Sequence, residues 1–465
     1  MSPLTLIFLV PLLTALVLVF VPAREVRALR GLTLVGTGVP LLLAVLMFAT
    51  FDNAPLGPGT IADLNLNSIS HPATPPEDAP TAVFLEYQNK YKFTEHHDWI
   101  PTLGISYHVG VDGINVGLLL MGALVAFAAV CCARDISKRI KEFHILLLLM
   151  TGGILGAFMS LDIFVMYFLH ELALVPTFIM IGVWGHGQDK NYAAFKITLY
   201  LSVGALLALA GLILLYTKVG AHTFDLLELL DHATESSSGL TLGMQETIFG
   251  LLLFGLGILV GLWPFHTWSP DGHVAAPTAV SMLHAGVLMK LGAFGILAVG
   301  MVILPQGSAF WAPTLIGLGT INVLYGAISA LGQKDLKYVI GYSSVSHMGY
   351  VLMGLGTLDV LAVNGAVLQM FSHGIMTALF FAMVGIIYQR THSRDITILE
   401  GLGKRMGITG VFLAVAGLTS LGLPGFSSFV AELLVFIGTY RTYPILAILG
   451  VIGAAITAVY ILRLL

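Results

Sequence analysis

The stretch VGLWPFHTWSPDGHVAAPTAVSMLHAGVLMK, Val260 to Lys290, interrupts an apolar run with helix-breaking residues and then resumes it around one lysine. Pro264, Asp271 and Gly272 lie in the interruption, and Lys290 lies near the middle of the second run. An unpaired backbone group costs several kcal/mol in hydrocarbon, so such a break is tolerated only inside protein, beside water or at the membrane surface. A charge at mid-membrane marks an ion or proton path. A broken helix beside a buried charge is typical of ion-coupled transporters.

The composition of the whole chain is that of a membrane protein. Of its 465 residues 57% are hydrophobic and only 10% are charged, whereas soluble domains carry about 25% charged residues. The net charge of −4 gives no indication of nucleic-acid binding, so the expected surroundings are a lipid bilayer. Cys131 and Cys132 are adjacent and predict neither a disulfide nor a metal site. No nucleotide, haem or metal motif occurs, and we expect no cofactor and no metal on this chain.

Apolar runs of about 20 residues suffice for one helical crossing, and the sequence predicts an all-α polytopic membrane protein with thirteen spans. They lie near 3–22, 29–51, 109–132, 144–161, 162–184, 193–216, 244–268, 277–301, 311–331, 338–355, 364–388, 407–437 and 443–465. The Pro-rich loop 52–104 is predicted to form an irregular external cap. HTFDLLELLDH, residues 222–232, is predicted to form a short interfacial helix.

The basic residues predict the orientation of the chain. With the N-terminus outside, the inside loops hold fourteen basic residues. The outside loops hold only four, which are Lys90, Lys92, Lys218 and Arg441. Inside loops of membrane proteins carry the excess of lysine and arginine, so the N-terminus is predicted to lie outside.

A second break indicates an internal repeat. GLTSLGLPGFSSFVAELL, residues 417–434, places Pro424 and Gly425 inside an apolar run, five spans after the first break. An odd offset means that the two copies face opposite ways, as in inverted-topology repeats. We therefore divide the chain into spans 1–3 with the long loop (1–143), a first five-helix repeat (144–301) and a second (302–465).

Several ionisable groups lie near span centres and form candidates for a proton path. The main candidates are Glu171, Lys290, His347, His373 and Glu432. Auxiliary candidates are Lys196, His170, His266 and His284. Each can hold or release a proton, and burial or neighbouring charge can adjust its proton affinity. The alternatives are structural ion pairs for the acids, helix contacts for the histidines and snorkelling to the surface for Lys196.

From about Tyr107 onward the chain resembles a known family of proton-translocating membrane subunits. The motifs that carry the resemblance are FLHELALVPTFIMIG, PFHTWSPDGHVAAPTAVSMLHAGVLMKLGAFG, GQKDLKYVIGYSSVSHMGYV, QMFSHGIMTALFF and GLPGFSSFVAELLVFIG. They are similar to the antiporter-like chain M (chain 4) of NADH–quinone oxidoreductase, respiratory complex I. The same superfamily includes multisubunit cation/proton antiporters and membrane-bound hydrogenases.

The resemblance implies fourteen spans, two inverted repeats of five helices, and broken helices 7 and 12; a fourteenth span would follow Leu465. It matches Glu171 to the span-five glutamate, Lys290 to the span-eight lysine, and His347 and His373 to the histidines of the second half. Glu432 matches the span-twelve acid, which favours chain M. NADH, flavin, iron–sulfur clusters and quinone are expected on partner subunits of the membrane complex, in a bacterial inner membrane.

One departure concerns the seventh span. The family usually carries a lysine there, followed two residues later by proline, and these positions hold Leu259 and Gly261 here. Glu171 therefore lacks its expected basic partner. His170, Lys196 or His266 could substitute, although His170 is expected to point about 100° away from Glu171 around the helix.

The leading hypothesis is a proton-translocating subunit of a complex I-like NADH–quinone oxidoreductase, without a redox centre of its own. Two alternatives stay open. The chain could be a subunit of a multisubunit cation/proton antiporter, which sodium-dependent proton exchange would favour. It could also be a non-pumping scaffold of a membrane redox complex, because the span-seven lysine is missing.

Overall fold

The computed structural model describes residues 2–53, 91–234 and 239–465, and most of them are helical. The helices are α1 (Pro3–Phe20), α2 (Val26–Thr50), α3 (Asn115–Cys132), α4 (Ile140–Met159), α5 (Ile163–Trp184), α6 (Lys190–Val219), α7 (Leu226–Thr234), α8 (Leu242–Val260), α9 (Trp268–Ala275), α10 (Thr278–Met301), α11 (Pro305–Leu331), α12 (Leu336–Gly356), α13 (Val360–Thr391), α14 (Leu402–Arg405), α15 (Gly407–Ser420), α16 (Ser427–Thr442) and α17 (Pro444–Leu464).

The helices account for all thirteen predicted spans. Eleven helical segments among the described residues are long and apolar enough to cross a membrane. The other two predicted spans correspond to α12, which has 21 residues, and to the pair α15 and α16, which is interrupted. The predicted all-α polytopic membrane fold is confirmed. The division into domains 1–143, 144–301 and 302–465 stays a prediction.

Aspartates define where several of the helices begin. Asp162 accepts hydrogen bonds from the Phe164 and Val165 amides, both at 2.9 Å, at the start of α5. Asp335 and Asp359 cap α12 and α13 in the same way. A side-chain oxygen at this position satisfies amides that have no partner within the helix, and its negative charge complements the helix dipole.

The end of the long external loop is not irregular, and that prediction was wrong. Strands β1 (Lys92–Ile100) and β2 (Ile105–Val111) form an antiparallel hairpin, and the third span begins at Asn115 rather than near 109. Gly104 closes the hairpin with φ of +67°, a conformation that glycine adopts without strain. Residues 54–90 of the predicted cap lie outside the described residues. The short helix predicted within 222–232 is present as α7, which begins only at Leu226; its interfacial position stays a prediction.

The hairpin joins three separate parts of the chain. The Glu95 carboxylate accepts hydrogen bonds from the Ser2 amide at 2.6 Å and the Thr5 hydroxyl at 2.5 Å, at the start of α1. The Leu161 amide donates to the His108 carbonyl, and the Phe224 amide donates to the Gly104 carbonyl, both at 2.8 Å. Loops that are distant in sequence therefore form one surface with the hairpin.

Helix α10 lies at the centre of the molecule. Its apolar window is 94% buried, compared with 33% for α1 and α17. Two segments of α10, His284–Leu288 and Ile296–Met301, are π-helical and flank the turns that carry Lys290. A π turn inserts one extra residue into a helix and occurs frequently at functional sites. The most deeply buried span thus combines a charge with irregular backbone.

Candidate functional site

The first break is held open by an amide side chain. Helix α8 ends at Val260, and Gly261 adopts a left-handed φ of +87°. The Asn322 amide nitrogen donates to the Gly261 carbonyl at 2.7 Å, and the Asn322 oxygen accepts from the Trp263 amide at 2.6 Å. Asn322 is fully buried and satisfies two backbone groups that the break leaves without helical partners. The predicted break in this span is confirmed.

The second break lies beside a buried acid. Helix α15 ends at Ser420 and α16 begins at Ser427, with Gly422 at a φ of +70° between them. The Ser428 hydroxyl donates to the Thr419 carbonyl and closes the break. A Cβ at Gly422 would come within 2.7 Å of Glu432 Oε2. The glycine therefore leaves room for the Glu432 carboxylate, and the second predicted break is also confirmed.

Lys290 contacts a histidine of the second predicted repeat. Its side chain is fully buried, and its Nζ donates to the Ala285 carbonyl at 2.5 Å and lies 2.6 Å from His373 Nδ1. The contact depends on glycines, because a Cβ at Gly374 would lie only 2.7 Å from the Gly286 carbonyl. Close approach of α10 and α13 thus brings the lysine and the histidine together.

His347 and Glu432 extend the contact between Lys290 and His373. The rings of His373 and His347 are stacked with their centroids 5.4 Å apart. His347 Nε2 lies 3.8 Å from Glu432 Oε1. Lys290, His373, His347 and Glu432 therefore form one buried series, which we call the central series, across α10, α13, α12 and α16.

Both nitrogens of the His347 ring face carbonyl oxygens. Nδ1 lies 2.7 Å from the Ser343 carbonyl, and Nε2 lies 3.0 Å from the Ser420 carbonyl at the second break. A carbonyl only accepts hydrogen bonds, whereas a neutral imidazole has one N–H and a protonated one has two. The geometry of this site thus accommodates a ring that carries a proton on each nitrogen.

Buried polar atoms without a hydrogen-bond partner accompany the predicted residues. Among the described residues they include His170 Nε2, Glu171 Oε1, both ring nitrogens of His266, His284 Nε2, His373 Nε2, both amide atoms of Gln369 and Glu432 Oε1. Most native proteins have only a few buried polar atoms without a partner, and internal water commonly satisfies them. Their concentration here is what a hydrated proton path requires.

The ionisable side chain that approaches Glu171 is that of His170, the preceding residue on α5. His170 Nδ1 lies 3.7 Å from Glu171 Oε1, so the two side chains approach each other although adjacent positions are about 100° apart around the helix. His170, Tyr167 and Leu259 line a cavity of about 20 Å³, which is enough for about one water molecule. Leu259, which replaces the expected lysine, therefore lies beside the Glu171 region.

The other two proposed substitutes lie elsewhere. Lys196 Nζ forms an ion pair with Asp271 at 2.7 Å, and the His266 ring packs against Tyr325 with centroids 4.8 Å apart. No ion pair or hydrogen bond between described residues connects either of them with Glu171. His170 is therefore the best-placed substitute of the three.

Sequence reasoning missed two buried groups. His273 shares a hydrogen bond with Ser269 Oγ at 3.0 Å, and its Nδ1 lies 3.3 Å from Nδ1 of the auxiliary candidate His284. Lys337 is only 5% exposed and donates to the Ala276 carbonyl at 2.7 Å. His273 stands in the opening stretch and could have been found there. Lys337 immediately precedes the predicted span 338–355, so its position in the sequence predicts a loop charge and not a buried group.

Comparison with known proteins gives matches over most of the chain. Residues 160–457 match the family described as NADH:quinone oxidoreductase/Mrp antiporter, TM. NADH-quinone oxidoreductase subunit M of Rickettsia bellii is 38% identical over 389 residues, which cover 82% of this chain and 77% of that protein. NAD(P)H-quinone oxidoreductase chain 4 1 of Picosynechococcus sp. is 35% identical over 98% of this chain and 79% of that protein.

Solved structures support the same family. A chain of respiratory complex I from Thermus thermophilus with bound NADH superposes with a TM-score of 0.83 and 26% identity, covering 99% of this chain and 87% of that one. A chain of the Mrp complex from Dietzia sp. shares the fold, with a TM-score of 0.80, 21% identity and coverage of 99% and 78%. The broken helices, the central series and these matches together lead to one assignment. This chain belongs to the NADH:quinone oxidoreductase/Mrp antiporter transmembrane family.

Proposed function

We propose that this chain is a proton-translocating subunit of a complex I-like NADH–quinone oxidoreductase in a bacterial inner membrane. The observation that carries the proposal is the central series, a buried lysine, two histidines and a glutamate that connect the central helix α10 with the second broken helix. NADH, flavin, iron–sulfur clusters and quinone belong to partner subunits in this proposal. In this proposal the chain contributes to proton translocation and carries no redox centre.

Proton transfer along the central series follows from its distances. Lys290 Nζ and His373 Nδ1 share one hydrogen bond, so either atom can hold the proton between them. Transfer from His373 to His347 requires ring rotation or a bridging water, because the stacked centroids lie 5.4 Å apart. Glu432 then receives the proton from His347, and the 3.8 Å between them is closed by side-chain movement or a bridging water. Since burial strengthens electrostatic interactions, each proton moved changes the proton affinity of the next group.

Glu171 and His170 form the entrance of the path in this proposal. Water in the adjoining cavity would carry protons to them, and His170 would provide the basic partner that lysine provides in the family. Redox energy released in the partner subunits would then shift the charge at Glu171 and drive the central series.

A partner subunit is expected to cover Glu171. Its side chain is 34% exposed although it lies in the middle of α5, which is apolar enough to span the membrane. An exposed carboxylate is costly in lipid, and such groups face protein or water instead. The relatives are named as subunits of quinone oxidoreductases, which supports contact with another membrane-arm subunit at this face.

The test uses the Glu432→Gln variant in the native membrane complex. We expect loss of quinone-coupled proton pumping on the order of 100-fold, since the amide cannot accept a proton from His347. Glu400→Gln, which removes an exposed carboxylate from the loop before α14, is the matched control and should leave pumping unchanged. Pumping is measured by the quenching of a pH-sensitive dye in inverted vesicles.

Unchanged pumping in Glu432→Gln would remove Glu432 from the path. Sodium-dependent proton exchange without quinone reductase activity would favour the antiporter function instead, since the family includes Mrp antiporters. A normal proton stoichiometry after replacement of both Glu171 and Lys290 would favour a scaffold.

A further inference from the structure

A cluster of metal-ligating side chains lies away from the proton path. It consists of His96 on β1, His108 on β2 and Asp225 before α7, and one ligand atom from each lies within 4.8 Å of the others. Both the hairpin and the segment before α7 belong to predicted outside loops. The cluster therefore lies on the surface that external ions reach.

Two of the three side chains are held in place by the fold. His108 and Asp225 are 8% and 4% exposed, and His108 Nδ1 is hydrogen-bonded to Asp225 Oδ2. The other oxygen, Asp225 Oδ1, accepts from the amides of Leu227 at 2.9 Å and Glu228 at 3.2 Å. Asp225 is thus both the cap of α7 and a fixed carboxylate beside the imidazole.

The third side chain is free to move onto the other two. His96 is exposed and directly opposes His108 across the hairpin, and the two rings meet at 77° with centroids 4.8 Å apart. Tetrahedral zinc bound at about 2.0–2.1 Å needs its ligand atoms about 3.3 Å apart. The His108–Asp225 pair, now in direct hydrogen-bond contact, opens to this spacing when the ion replaces the shared proton, and rotation of the exposed His96 ring brings in the third ligand atom.

We propose that His96, His108 and Asp225 bind a divalent transition-metal ion, with Zn²⁺ as the preferred ion. Two imidazole nitrogens and one carboxylate oxygen match zinc sites with three protein ligands and a fourth position for water. The ion takes the place of the proton that His108 Nδ1 and Asp225 Oδ2 now share. That proton leaves to water and the ring takes one up on Nε2, so His108 stays neutral. Mg²⁺ prefers six oxygen ligands and does not fit this nitrogen-rich set.

The bound ion would connect two outside loops. The hairpin is held to the segment 223–226 by the hydrogen bond between Phe224 and Gly104 and by the His108–Asp225 contact. A metal ion adds His96, and with it strand β1, to this connection. The proposal concerns the outside surface and does not depend on the proton path.

The experiment measures zinc bound to the purified full-length chain after treatment with a chelator. Equilibrium dialysis against Zn²⁺, followed by metal analysis, compares the wild type with His96→Ala and His97→Ala. His97 is the neighbouring exposed residue on β1, but its ring faces Glu95 and Tyr107 instead. It is therefore a matched control for the loss of a surface imidazole.

We expect His96→Ala to lower zinc affinity at least about tenfold, and His97→Ala to bind zinc as the wild type does. Asp225→Asn is a second variant that keeps Oδ1 as the cap of α7 and removes the charged ligand; it should also lose affinity. Bound zinc should show nitrogen and oxygen ligands at about 2.0–2.2 Å in X-ray absorption. Equal zinc binding by the wild type and His96→Ala, or no zinc retained by the wild type, would overturn the proposal.

Discussion

At the scale of single residues, the main question is which basic side chain pairs with Glu171. Leu259 stands where the resemblance leads us to expect a lysine. His170 lies 3.7 Å from the Glu171 carboxylate, while Lys196 is paired with Asp271. His170 is therefore the residue that the local geometry assigns to the missing basic group.

We predict that His170→Gln lowers proton pumping by about 10-fold or more, because it removes the titratable neighbour of Glu171. Lys196→Gln should have a much smaller effect, since it removes the ion pair with Asp271 and the contact with the Tyr192 ring and neither involves Glu171. Both variants are measured in inverted vesicles with the NADH-driven dye assay. Equal losses in the two variants would contradict the assignment of His170.

A second prediction at this scale concerns Asp112, in the turn between β2 and α3. Its Oδ1 accepts from the Ile114 and Asn115 amides, both at 2.8 Å, and burial raises its pKa above the usual 3.8. A raised pKa in the folded state means that stability is lost as the pH rises from 3.8 through the folded pKa.

Asp112→Asn keeps the accepting oxygen and cannot ionise. We expect its thermal midpoint to exceed that of the wild type at neutral pH and to converge with it below pH 3.8. Thermal unfolding in detergent at several pH values measures the difference. A variant that is less stable than the wild type at neutral pH would show that the carboxylate charge itself stabilises the turn.

At the scale of elements, the broken helices depend on a few side chains that replace helical hydrogen bonds. Asn322 on α11 holds the first break through Gly261 and Trp263, and Ser428 closes the second through Thr419. At the first break, Asn322 is far from its partners in sequence: 59 residues from Trp263 and 61 from Gly261. The breaks could be predicted from proline and glycine, but the side chains that hold them could not.

We predict that Asn322→Ala destabilises the chain by about 1–3 kcal/mol, since it leaves the buried Gly261 carbonyl and the partly buried Trp263 amide without this partner. Thr320→Val on the same helix is the control, because Thr320 bonds only to the Ile316 carbonyl of its own helix. Thermal unfolding of both variants is compared with the wild type. Equal effects would indicate that Asn322 contributes only packing.

At the scale of the whole molecule, contacts between loops agree with the predicted orientation. The predicted outside loops meet at the hairpin, where Gly104 accepts from Phe224. Predicted inside loops meet on their own side, where Arg30 donates to the Arg134 and Ile136 carbonyls at 3.1 Å. These contacts group the loops as the distribution of basic residues predicts.

Accessibility of introduced cysteines tests this orientation. In a background where Cys131 and Cys132 are replaced by serine, Asp98→Cys on the hairpin should react with an impermeant maleimide in intact cells. Asp189→Cys, before α6, should react only in inverted vesicles, because it belongs to an inside loop. Both positions are exposed. The reverse pattern would place the N-terminus inside.

The sequence by itself determined the features that depend on local pattern. Apolar length predicts the spans, proline and glycine predict the two breaks, and isolated charges such as Lys290 and Glu432 identify the candidate path. These signals need no knowledge of distant contacts, since hydrocarbon imposes them on each segment separately.

Only the tertiary structure decided which of these groups meet. Lys290 reaches His373, 83 residues away, because Gly286 and Gly374 allow α10 and α13 to approach closely. The hairpin and the pairing of His96 with His108 were also missed, because strand pairing and its register depend on partners in three dimensions. Helix packing and strand pairing join residues far apart in the chain, and a local pattern contains no information on which ones they are.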